Sequence, residues 1–324
     1  MTEIASPLPQ GSDHRLRLGD FPYWHELILL MLLIGWMTFA GFTDPVFIQR
    51  NVQVELASKL WERAILALPM TLIIITAGID LSVGSALALS SVIMGVAFRA
   101  GIPMPVAIAL GIATGAACGA LNGVFIAFVR VHPLLVTLAT YSAYRGFAEG
   151  ISHAAPIKGF PDWFARIANA PTPMLIFLIG AAFVAIILGK TPFGRFLYAM
   201  GYNETACHFS GIPTRRIKLT LYTASGLAAG VAAVLYAARV NTAAADQGMG
   251  FELDIITAVV LGGTSIFGGR GNIPGTILGL LLIHETQEFV RWQYQNEVLI
   301  YLVVGLLLIF SVLLNTLLTP RTRS

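Results

Sequence analysis

Few side chains in this sequence could do chemistry, and their spacing limits what that chemistry is. Asp80 stands between two long apolar runs, with Ser82 and Ser85 beside it. A carboxylate so placed either caps the following helix, accepting backbone N–H bonds ahead of Ser82, or lines a polar route with the two hydroxyls. Arg145 and Glu149 are four apart, a spacing that lets them meet and neutralise each other on one helix face. His284, Glu285 and Glu288 cluster towards the end of another apolar run, where they either line a polar vestibule or sit at an interface. His132 precedes Pro133 and reads as a structural turn residue. Cys118 lies in a Gly/Ala-rich stretch and Cys207 in a basic loop, and neither has a partner at metal or redox spacing. The sequence has no Gly-x-x-x-x-Gly-Lys-Ser/Thr loop and no His-Glu-x-x-His motif. Catalytic residues, metal ligands and a cofactor held by this chain are therefore not expected. With Asp80 as the one interior carboxylate, the chain also lacks the buried acids common in a proton- or sodium-coupled carrier.

The most informative polar stretch is 190–218, which carries Lys190, Arg195, Arg215, Arg216 and Lys218. Within it Asn203 is a good N-cap, Glu204 complements a helix N-terminus, and Gly211 followed by Pro213 is a helix stop. This predicts a short helix over 204–210 lying outside the apolar runs. Such an element is either an interfacial helix or a knob through which a soluble motor pushes on the rest of the chain.

The elements that position these residues follow from composition. Of 324 residues, 56% are hydrophobic and 11% charged, against roughly 25% charged in a soluble domain. The mean hydropathy is +0.77. Soluble enzymes, disordered chains and disulfide-stapled domains are excluded, and a net charge of +3 without a basic face argues against nucleic-acid binding. The chain reads as an all-α, polytopic membrane bundle. A spanning helix needs about 20 mostly apolar residues, which gives about ten crossings at 27–42, 62–78, 81–98, 103–129, 133–151, 173–188, 217–238, 253–267, 274–290 and 298–318. Two are doubtful as plain crossings. Only Ile79 and Asp80 separate the second from the third, and the eighth is short, so either is a candidate broken or re-entrant segment.

Ten crossings place both termini and the basic 190–218 loop on one side, and the excess of Lys and Arg assigns that side to the cytoplasm. The domains are then a cytoplasmic tail 1–24, one transmembrane domain 25–318 containing the 190–218 loop, and a cytoplasmic tail 319–324. No cleavable signal peptide is expected ahead of the first crossing. Gly111, Gly115, Gly119 and Gly123 recur every fourth residue, as do Gly226 and Gly230, and Gly271, Gly275 and Gly279. Small residues at that spacing let helices approach closely in lipid. The Gly-rich stretches 77–85 and 262–271 interrupt apolar runs in the two halves, as in transporters built from two related halves, here of five crossings each.

Several strings carry a family likeness. They are Ala77-Gly78-Ile79-Asp80-Leu81-Ser82-Val83-Gly84-Ser85, then His132-Pro133-Leu134-Leu135-Val136-Thr137-Leu138, Thr191-Pro192-Phe193-Gly194-Arg195 and Gly211-Ile212-Pro213. The run from Ala258 to Gly271 continues the series. In these the chain resembles the membrane permease subunits of bacterial ATP-binding-cassette importers for monosaccharides, the ribose-type group that includes rhamnose and autoinducer-2 permeases. In that group a Glu-Ala-Ala…Gly pattern seats in a cleft on the ATPase; here it reads Glu204-Thr205-Ala206, then Gly211, with Thr205 departing from the middle alanine. The resemblance implies that Asn203, Glu204, Ala206 and Gly211 form the ATPase-coupling element. It further implies a bacterial inner-membrane location, ATP and Mg on a partner ATPase, a periplasmic sugar-binding protein and a second permease subunit. A pentose, a deoxyhexose such as rhamnose and a furanosyl signal remain open as cargo, and an ion-coupled secondary sugar transporter is the alternative reading.

Overall fold

The computed structural model describes residues 24–296, 298–300, 302–303, 305–307 and 309. The tails before Trp24 and after 309, and most of the crossing expected at 298–318, lie outside the described residues. The helices are α1 (Trp24–Thr43), α2 (Arg50–Ala57), α3 (Trp61–Ile75), α4 (Val83–Arg99), α5 (Met104–Val124) and α6 (Pro133–Ser152). They continue as α7 (Asp162–Ala165), α8 (Thr172–Lys190), α9 (Pro192–Phe209), α10 (Thr214–Val240), α11 (Phe251–Leu261) and α12 (Ile273–Tyr294). One antiparallel pair of two-residue strands, β1 (Ile157–Lys158) with β2 (Thr242–Ala243), ties the segment after α6 to the end of α10. We call the end that carries these strands the strand end, and the opposite one, which carries 190–218, the loop end.

Among the described residues, four apolar elements are long enough to cross a membrane by length and composition: Trp24–Thr43, Met104–Val129, Thr172–Lys190 and Thr214–Val240. The last, α10, has 27 residues, about 40 Å of helix. By contrast α3 has 15 residues and α11 only 11. The second is about 16 Å long and reaches about half of a 30 Å hydrocarbon layer. The expected crossings at 62–78 and 253–267 are therefore shorter helices, each running into irregular backbone at 76–82 and 262–272 before α4 and α12 set off in the reverse direction. Both breaks follow helices that run the same way, with α4, α5, α6, α8 and α10 between them. Two halves of five crossings each run in opposite senses, so breaks that follow helices of the same direction are not equivalent positions in such a repeat.

Glycine decides which helices touch. A Cβ on Gly119 would run into the carbonyl oxygen of Tyr222 and lie 2.8 Å from Gly226 N, and one on Gly115 would lie 2.6 Å from Gly230 N. The two glycine series thus mate, seating α5 and α10 backbone against backbone. Gly111 turns instead towards Met94 on α4 and Gly123 towards Leu219 on α10. At the strand end the glue is ionic. Arg239 pairs with Glu62 at 2.7 Å, Arg63 with Asp254 at 3.4 Å, and Lys59 with Glu288 at 3.0 Å, and Arg291 closes on Glu288 as well. These pairs join α3, α10, α11 and α12 where Arg63 also lies 4.7 Å from the Phe251 ring. Glu288 and His284 are buried, and His284 Nε2 lies 3.2 Å from the Leu56 carbonyl oxygen. Glu288 thus braces α12 through Lys59 and also borders a cavity of about 300 Å³ that Leu56, Lys59 and Arg291 share.

Candidate functional site

The functional candidates gather where α9 meets the two breaks. Thr191 accepts from Gly194 N at 3.3 Å and Pro192 fills the first helical turn, so the 190–218 segment starts with a helix that its charge pattern did not announce. That helix kinks at Asn203, whose backbone is extended (φ −159°, ψ 96°). Asn203 Oδ1 then accepts from Ala206 N at 2.9 Å, capping a second short helix from Glu204 to Phe209. Gly211 ends it in the left-handed region at φ 85°. Its N–H donates to His208 O at 3.2 Å and Ile212 N–H donates to Cys207 O at 3.0 Å, the closing bonds of a helix C-terminus. Cys207 faces the bundle, whereas Tyr202 and Phe209 are 69% and 85% exposed. Glu204 pairs with Lys218 at the start of α10, 2.6 Å away.

The α9 backbone itself touches both breaks. A Cβ on Gly201 would fall onto the Ile75 carbonyl oxygen and onto Gly269 N. Those two groups are bonded to each other, with Gly269 N–H donating to Ile75 O at 2.8 Å. Tyr198 Oη donates to Gly271 O at 2.8 Å, and burial pushes its phenol above the ordinary pKa, keeping it a donor. A cavity of about 630 Å³ opens beside this junction, lined among others by Thr76, Gly78, Arg130, Glu204, Lys218 and Tyr222. The short helix, the cavity and the first break are therefore contiguous.

Asp80, Ser82 and Ser85 do not reach that cavity; they are 2%, 2% and 0% exposed. Asp80 Oδ1 accepts from Ser82 N at 3.0 Å and from Ser82 Oγ at 2.7 Å, and Oδ2 accepts from Ser225 Oγ at 2.8 Å. Asn122 Nδ2 donates to Ser82 Oγ at 2.8 Å, and Tyr144 Oη donates to Asn122 Oδ1 at 3.1 Å. Ser85 Oγ donates back to Ser82 O at 2.9 Å. The carboxylate thus caps the start of α4 and also ties the first break to α5, α6 and α10. His132 is the expected turn residue, with Nδ1 accepting from Leu134 N at 3.3 Å.

Arg145 departs from the expected pairing. Its Nη1 donates to the carbonyl oxygens of Ala245 and Gln247 in the segment before α11, and Glu149 is exposed. The four-residue spacing was compatible with a pair, but irregular backbone buried at that depth competes for the guanidinium. Sequence reasoning also passed over Gly201, Tyr198, Tyr202 and Phe209. A lone glycine between Met200 and Tyr202, and two aromatics in a polar loop, were the available signals.

Residues 55–312 match the family described as branched-chain amino acid transport system / permease component. Among curated proteins, the autoinducer 2 import system permease protein LsrD of Yersinia enterocolitica is 37% identical over 277 residues, 82% of this chain and 84% of its own length. LsrD of Escherichia coli K12 and of Shigella flexneri are each 38% identical over the same extent. No solved structure matches.

Proposed function

The chain belongs to the branched-chain amino acid transport system / permease component family, as a transport subunit and not an enzyme, and from that premise we propose that it is the conduit for a monosaccharide in an ATP-binding-cassette importer. The cargo is a pentose, a deoxyhexose such as rhamnose, or a furanosyl signal of the autoinducer-2 kind, the last named by the curated relatives. A periplasmic binding protein delivers it, a cytoplasmic ATPase carrying ATP and Mg supplies the energy, and a second permease subunit, a copy or a paralogue, completes the core. The chain sits in the bacterial inner membrane with ten crossings and both termini cytoplasmic. Arg130, Lys190, Arg195, Arg215, Arg216 and Lys218 all lie towards the loop end, and a surplus of cations in short loops faces the cytoplasm.

The observation that carries the mechanism is the junction of α9 with the two breaks. The capped helix 204–209, with Tyr202 and Phe209 exposed beside it, is a knob for a cleft on the ATPase. Closure of the ATPase pair moves the knob. Gly201 lies against Ile75 and Gly269, and Tyr198 holds Gly271, so the movement passes to both breaks with no flexible linker between. Helices α3 and α11 then rock as units, their strand ends held by the ion pairs. Asp80 keeps the first break in one shape as it moves.

A mild-detergent pull-down of the tagged chain from native membranes tests this reading. An ATPase with nucleotide-binding motifs should accompany the wild-type chain and be lost from Glu204→Lys and Gly211→Val. Recovery of the chain alone, with uptake persisting in ATP-depleted vesicles under an ion gradient, would show a secondary carrier instead.

A further inference from the structure

We propose that Arg145, Gln247 and Glu252 form a subsite for a polyhydroxylated solute midway through the bundle. The proposal rests on the sugar-conduit reading above and places the cargo within it. The segment 244–250 leaves β2 at the strand end and descends beside α4. Ala243 packs where a Cβ on Gly95 would sit, and about 16 Å lower on the same helix Gly84 packs against Gly248. Non-helical backbone at such depth needs donors from the protein. Arg145 supplies them through Nη1, 2.9 Å from Gln247 O, and Gln247 Nε2 donates to Thr242 O at 2.7 Å.

That role leaves much of the polar equipment unused. Arg145 Nε and Nη2, Gln247 Oε1 and Glu252 Oε2 are buried and have no hydrogen-bond partner among the described residues. The three residues are only 8%, 5% and 7% exposed. Glu252 experiences the charge of Arg145, yet the two close no ion pair among the described residues. A buried group without a partner is a standing cost in a fold built only for stability. Two free guanidinium donors together with free amide and carboxylate acceptors suit neighbouring hydroxyls, each of which both donates and accepts. Two further features favour a solute here. Glu252 Oε2 would lie 2.6 Å from a Cβ on Gly84, so glycine is what leaves room for the carboxylate. Ser91, seven residues after Gly84 and four before Gly95 on one face of α4, adds another buried hydroxyl without a partner.

The test uses the assembled importer, with its ATPase and binding protein, in liposomes, and tritiated D-ribose, L-rhamnose and autoinducer 2 as probes. Glu252→Gln and Gln247→Met should each lower uptake of the transported probe at least tenfold while ATPase stimulation by the loaded binding protein stays within twofold of wild type. Glu252→Asp should recover part of the uptake. Wild-type uptake in both variants, or uptake and ATPase stimulation falling together, would overturn the subsite. Failure of the wild-type complex to carry any of the three probes would instead overturn the sugar reading on which it depends.

Discussion

Asp80 shows how far a single residue reaches when it is buried. Its two oxygens accept from Ser82 and Ser225, and Asn122 and Tyr144 extend the chain of bonds. Asp80→Ala would leave at least two of these donors without a partner, at about 1–3 kcal/mol each. A clear fall in the midpoint of thermal unfolding in detergent is expected, with Asp80→Asn falling less because it keeps one acceptor. Equal midpoints for the alanine variant and wild type would contradict the network. At Gly211 the argument is conformational. A φ of 85° is open to glycine and costs other residues roughly 1–2 kcal/mol, so Gly211→Val should distort the knob while the bundle stays folded. The predicted readout is normal membrane insertion with sugar uptake reduced at least tenfold.

Among the elements, the α5–α10 contact leaves no room for added volume. Gly119→Leu would place a side chain inside the Tyr222 backbone, and the expected outcome is loss of the monodisperse peak in size-exclusion chromatography. Gly146 on α6 has nothing within 4 Å of a Cβ, so Gly146→Leu should elute as wild type and serves as the matched control. The α9 element divides the same way. Gly201→Val would push α9 off both breaks, whereas Phe209→Ala removes an exposed ring and leaves the junction alone; the Tyr202 ring, though exposed, lies against Gly269 in the second break. Phe209→Ala should weaken capture of the ATPase. Gly201→Val should retain capture and lose uptake, a pattern that separates docking from transmission.

For the whole molecule the arrangement is a frame clamped at one end and driven at the other. Ion pairs fix the strand ends of α3, α10, α11 and α12, and the loop ends of α3 and α12 meet α9 through the breaks. Arg63 both pairs with Asp254 and stacks on Phe251, so Arg63→Met should loosen α11 against α3. The expected consequence is a faster basal ATPase rate with less uptake per ATP hydrolysed, measured in liposomes. An unchanged ratio would mean that the clamp is not part of the drive.

The amino-acid sequence by itself determined the class of the molecule, because apolar runs of spanning length and a low charge content have few other uses. It also determined the local signals that act over one helical turn: the cap at Asn203, the turn at His132, the stop at Gly211 and the glycine series. Only the tertiary structure decided which glycines mate, that α3 and α11 stop short, that the second break bonds to the end of α3, and that Gly201 packs against both groups of that bond. It also turned Arg145 away from Glu149 towards the carbonyls of Ala245 and Gln247. The physical reason is range. A cap or a four-residue spacing is satisfied by neighbours in the chain, and its partners can be read in order. Buried backbone left unpaired at a break takes whatever donor packing brings near, and here that donor comes from about a hundred or nearly two hundred residues away.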